Sequence, residues 1–286
     1  MVGSRSPGRL SVLSMMLFGV TALQASADGS AGQVSAADID QSVISSLPTL
    51  HKKNADIVQH LDLTGAFETK SHWTFVAAVL PGSHVDGASE EPVTGGPLAR
   101  CFVNDLSPHC TFTTPSGDMS WFSTPIELYA AEVVFRGENS TLPLLLVKAG
   151  SAHGGDGGHS IYTELFAYYR QANEFKSVFS NVTGSNNNQQ TRFVKDGPLR
   201  GDVIVDEPSG CCYRVEVFRQ GPSGRYARIL AYRSSTVYGD GNPLSVSDSE
   251  MPEIMRRLGI WHQGDPLPIP HPGCAPVMRR GEEWCE

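Results

Sequence analysis

The sequence predicts an all-β fold built mainly of antiparallel meanders, with short helices at its N- and C-terminal ends. From Trp73 onward, short runs rich in Val, Ile, Phe and Tyr are separated by clusters of Gly, Pro, Asn and Asp, which is the texture of strands joined by tight turns. Capped apolar stripes of helical period occur only before and after this region. Finally, segments of the β region resemble one another, as units of a meander would.

The chain opens with a leader. Arg5 and Arg9 precede an apolar run from Leu10 to Leu23, and Ala25-Ser26-Ala27 offers the small side chains that signal peptidase requires. The run is roughly 14 residues, short of the ~20 that cross a membrane as a helix, so the expectation is a signal peptide at residues 1–27, cleaved after Ala27. The protein is then exported, periplasmic or extracellular. About 260 residues remain, enough for a substantial buried core. Loss of two arginines from a net charge of −8 leaves about −10, which argues against nucleic acid as a partner.

Residues 28–72 read as a helical lead-in. Ser35-Ala36-Ala37-Asp38 is a capping box opening a helix with Ile39, Val43, Ile44 and Leu47 on one side, and Pro48 ends it. Asn54 is a good N-cap for a second helical turn carrying Ile57, Val58 and Leu61. Residues 73–246 form the β-meander domain. Its strand candidates are Trp73 to Leu80, Ile126 to Phe135, Leu142 to Lys148, Ile161 to Tyr169, Phe175 to Phe179, Val203 to Val205, Tyr213 to Phe218 and Tyr226 to Tyr232.

Gly96 to Asp105 resembles Gly197 to Asp206, and Tyr162 to Phe166 with Phe175 runs parallel to Tyr213 to Phe218 with Tyr226. These matches suggest three units of roughly 50 residues beginning near Leu98, Leu142 and Leu199, a length that suits a propeller-like arrangement, a sandwich or an open stack. Residues 247–286 complete the chain. Ser247-Asp248-Ser249 caps a helix bearing Met251, Ile254, Met255 and Leu258 on one face, Gly259 stops it, and Pro266, Pro268, Pro270 and Pro272 mark an extended tail.

All six cysteines follow the leader, and an even number in an oxidising compartment predicts disulfides. Spacing favours Cys101 with Cys110 across a loop containing Ser107-Pro108, and Cys274 with Cys285 across the tail. Adjacent Cys211 and Cys212 remain, and because a ring between neighbours is strained, Cys110 with Cys211 is an alternative. No CxxC spacing suggests zinc.

The nucleophile elbow, the HExxH helix, the P-loop and the dinucleotide fingerprint are missing. The chemistry-bearing segment is Gly150 to His159, where His153, Asp156 and His159 are the candidate binding residues: two imidazoles and a carboxylate among glycines that permit close approach of a ligand. A solvated hairpin loop is the competing reading. Hard oxygen ligands also gather at Asp240, Asp248 and Glu250, although Asp-Gly and Gly-Asn are ordinary turn formers. Tyr162, Phe166, Tyr168, Phe218, Tyr226 and Tyr232 suit either a sugar-stacking platform or a core. Asn139 and Asn181 begin glycosylation sequons.

No cofactor or metal is expected. The sequence favours a non-enzymatic binding or envelope-associated module, with an unidentified protein or carbohydrate ligand. The alternative is a secreted hydrolase with a metal-assisted site built from loops.

Overall fold

A computed structural model describes residues 34–85, 92–114, 118–136, 142–153, 158–184, 189–209, 212–234, 245–262, 276–279 and 282–285. The leader, Asp156, Cys211, Cys274, Asp240, the sequon at Asn139 and the prolines of the tail lie outside them. The all-β expectation with short helices holds: the described residues are mostly antiparallel strands.

Helix α1 (Ala36–Ser46) begins at the expected capping box, with Ser35 and Asp38 satisfying each other's backbone donors. The second helical turn expected from Asn54 is instead strand β1 (Asp56–Asp62), whose burial alternates residue by residue. Pairing with β2 (Trp73–Val79) overrides the local helical reading, because a strand can cover the edge of a sheet where a helix cannot. A one-turn helix, α2 (Thr64–Phe67), links them. After a small hairpin, β3 (Ser83–Val85) with β4 (Pro92–Thr94), the first sheet is completed by β5 (Leu98–Asn104) and β6 (Ser107–Thr111), in the order β1-β2-β5-β6.

The second sheet is a meander of β7 (Glu127–Phe135), β8 (Pro143–Gly150), β9 (Ser160–Tyr169) and β10 (Glu174–Gly184). The third is β11 (Gln190–Phe193), β12 (Val203–Ser209), β13 (Cys212–Gln220) and β14 (Tyr226–Ser234), followed by α3 (Val246–Arg257). Helix α3 is capped by Ser245 rather than Ser247, since its hydroxyl accepts from the Asp248 amide, while Ser247 is buried. Gly259, at φ +68°, supplies the expected left-handed stop. A final hairpin pairs β15 (Pro276–Arg279) with β16 (Glu282–Cys285).

Period-two alternation stacks these elements in layers. From β2, Val76 and Ala78 meet Ile39 and Val43 of α1, while Phe75 and Ala77 face the second sheet. From β8, Leu145 and Val147 meet the first sheet, and Leu144 and Leu146 meet the third. From β12, Val203 and Val205 face the second sheet, and Ile204 faces Ile254 and Met255 of α3. The layer order is therefore α1, first sheet, second sheet, third sheet, α3. Strands covered on both faces need continuous apolar runs, which is why Trp73 to Val79 and Pro143 to Gly150 lack clean alternation.

Of the similarities within the chain, Tyr162 to Phe166 and Tyr213 to Phe218 occupy like positions, the third strands β9 and β13 of their sheets. Gly96 to Asp105 and Gly197 to Asp206 do not: the former holds β5, a third strand, and the latter leads into β12, a second strand.

Cys101 and Cys110 form a disulfide. Contrary to the expected loop, they are directly opposed residues of the β5–β6 hairpin, with Ser107 and Pro108 inside β6. Cys101 is fully buried under α1. Closing so short a segment should contribute about 2–3 kcal/mol, to be read as the loss in unfolding free energy of a Cys101→Ala, Cys110→Ala double variant. A loss below about 1 kcal/mol would contradict this.

Candidate functional site

The structure brings His153 and His159 together at one end of the second sheet. Their ring centroids are 4.5 Å apart, in an edge-to-face arrangement. Ser151 ties the two ends of the loop: its amide donates to the Ser160 carbonyl at 2.9 Å, and its hydroxyl accepts from the Ser160 amide at 2.9 Å. Asp156 lies outside the described residues, and among the described residues no group of three or more His, Cys, Asp or Glu side chains is arranged to hold a metal ion.

Sequence reasoning missed the partner of this pair. Tyr129 Oη lies 2.8 Å from His159 Nε2. Tyr129 is the extra residue of a β-bulge: the β7–β8 register pairs Leu128 with Ala149 and Ala130 with Lys148, leaving Tyr129 unopposed. A bulge turns a side chain away from its expected face, here toward the imidazoles. Gly150 permits this, since any Cβ there would run into the Tyr129 ring.

Burial, followed by the nearby Glu127 carboxylate, pushes the Tyr129 hydroxyl up to about 12. Burial and the neighbouring His153 lower the pKa of His159, only partly opposed by Glu127, so its neutral ring is favoured. The corner thus holds a donor–acceptor chain from the Glu127 carboxylate through the Tyr129 hydroxyl to His159, beside a second imidazole.

A groove of about 340 Å³ opens next to it, between the edge strands of the first and second sheets, lined by Val58, Gln59, Val79, Glu127, Leu128 and Tyr129 among others. Its other wall also bulges: the β1–β2 register pairs Ile57 with Ala78 and Gln59 with Ala77, leaving Val58 unopposed. Val58 is 43% exposed and Tyr129 42%. On the far side of the His159 loop, Trp121 packs 5.4 Å from buried His84, and Tyr162 donates to the Ser123 carbonyl. Arg100 of β5 and Glu164 of β9 form an ion pair bridging the first two sheets, both largely buried.

Other candidates resolve into structure. Tyr162, Phe166 and Tyr168 pack between the first and second sheets, Phe218 and Tyr226 between the second and third, and Tyr232 beneath α3. Trp261 is buried in that last cluster. Glu250 accepts from Tyr232 and Ser234 at 2.8 and 2.5 Å, and Asp248 pairs with Arg192, so neither carboxylate presents itself to solvent as a calcium ligand. Beside them Asp206, fully buried, accepts from Ser247. Asn181 donates to Thr191 at 2.9 Å from within β10, a position that hinders glycosylation.

No protein-family model, curated protein or solved structure matches this chain.

Proposed function

We propose that this chain is an exported, non-enzymatic binding module, and that it holds a carbohydrate in the groove between β1 and β7. The observation that carries this reading is the pair of opposed bulges at Val58 and Tyr129. Bulges end regular pairing and re-aim side chains, and here two edge strands do so on either side of one groove. The outcome is an exposed aromatic ring beside a carboxylate and an amide, Glu127 and Gln59, which is the chemistry that stacks on the apolar face of a sugar and accepts from and donates to its hydroxyls. The leader is the support for export.

Binding of the mature protein to a panel of soluble neutral oligosaccharides, measured by calorimetry, tests the proposal. A ligand is expected whose affinity falls about 5- to 30-fold in Tyr129→Ala, as loss of a stacking ring should cost about 1–2 kcal/mol. Absence of any glycan ligand, or equal affinity in the variant, would sink it.

The adjacent imidazoles support a second reading, a metal-assisted secreted hydrolase. Two imidazoles whose rings lie 4.5 Å apart, one of them with a lowered pKa at His159, can both ligate one ion. A zinc titration of the mature protein against a His153→Ala, His159→Ala variant decides it: zinc bound equally by both removes this reading.

A further inference from the structure

At the opposite end of the second sheet, a cavity of about 230 Å³ lies where the ends of β8 and β9 meet α2 and the β13–β14 turn. Its polar lining is Arg136, Arg170 and Gln220, and its apolar walls include Phe67, Leu144 and the Tyr168–Tyr169 pair. Two of the polar atoms are buried without hydrogen-bond partners: Nε of Arg136, a donor, and Oε1 of Gln220, an acceptor. Leaving such groups unpaired costs about 1–3 kcal/mol each, and both belong to residues that line the cavity.

The geometry holds these groups in place. The Gln220 amide nitrogen donates to the Gly224 carbonyl, which fixes its Oε1. Gly224 has φ +80°, a conformation that favours glycine, and a Cβ there would sit 3.4 Å from Tyr169 Oη, so the turn is shaped to close against the tyrosine. Arg170 also lines the cavity and pairs with the exposed Glu68 at 3.1 Å. That pair is solvent-screened and readily exchanged for another anion.

We infer that this cavity binds a small hydroxylated carboxylate, of the sugar-acid class. The two guanidinium groups take the carboxylate, Gln220 Oε1 accepts from a neighbouring hydroxyl, and the tyrosine and phenylalanine walls face the C–H side of the ring. In a chain of net negative charge, two arginines lining one cavity favour an anion there. This site is separate from the β1–β7 groove and does not depend on it.

The test is calorimetric titration of the mature protein with galacturonate, galactose and inorganic phosphate. Galacturonate is expected to bind at least about tenfold more tightly than either of the others, and Arg136→Gln should weaken it at least about tenfold. Arg170→Gln, at an exposed position that leaves folding intact, should weaken it about three- to tenfold. No galacturonate binding, phosphate binding as tightly as galacturonate, or unchanged binding in Arg170→Gln would each overturn the assignment.

Discussion

Asp206→Asn is expected to stabilise the protein at pH 8 and to leave it nearly unchanged at pH 4. Burial, against the hydrogen bond from Ser247 and with the repulsion of Glu250 added, raises this carboxyl to about 7. Arg192 opposes the shift and Asp248 adds to it, and Tyr232 completes the polar set beneath α3 through Glu250. In the unfolded chain the same carboxyl titrates near its ordinary value of about 4. Below that pH both states hold the proton, and the group contributes no pH dependence. Between about pH 4 and 7 the unfolded chain loses its proton while the folded one keeps it, so folding stability falls as pH rises, and above pH 7 the penalty is constant. Three pKa units correspond to about 4 kcal/mol. Asn keeps the shape and an acceptor for Ser247 but cannot ionise. Urea unfolding of both proteins at pH 4, 6 and 8 should show a gap that widens with pH. A gap that is constant over that range would mean Asp206 is not held protonated.

Phe75→Ala should cost about 3–5 kcal/mol, the range for removing a large aromatic from a packed interior. Phe75 is fully buried on β2 and faces the second sheet, and its ring meets that of Phe102, its partner on the neighbouring β5, edge-on at 5.5 Å. Phe102 in turn stacks on Phe175 at 5.1 Å, so the lost ring sits at the first link of an aromatic chain between sheets. The surrounding strands are hydrogen-bonded on both sides and cannot collapse into the void. Val58→Ala, on the exposed bulge, is the contrast and should shift stability by less than about 0.5 kcal/mol. If Phe75→Ala costs under 1 kcal/mol in denaturant unfolding, the first and second sheets are not joined by a close-packed layer.

Much of the fold was legible because it rests on local pattern. The Ser35 and Asp38 capping box, the Ile39 and Val43 stripe, the Met251, Ile254 and Met255 face, Gly259 and most strands of the second and third sheets need only neighbours in sequence to be read. Strand β1 was not legible, since Ile57, Val58 and Leu61 suit a helix as well as a strand, and pairing with β2 decides between them. Strand β5 was hidden as well: Leu98 to Asn104 contains a cysteine, an arginine and an asparagine, and its role as the third strand comes from β2 and β6 on either side.

The candidate sites divide in the same way. His153 and His159 stood out because two imidazoles among glycines are unusual in any sequence. Tyr129 did not, as one more aromatic in an apolar strand, and neither did Arg136 and Gln220, which are far apart in the chain and ordinary by type. The sequence by itself determined the all-β class, the helices at the two ends and one pair of histidines, each carried by periodicity, capping or composition over a few residues. Only the tertiary structure decided the layer order, the bulges that turn Val58 and Tyr129 into one groove, and the burial that leaves Arg136, Gln220 and Asp206 short of partners. Those depend on register and on which surfaces exclude water, quantities set between segments rather than within them.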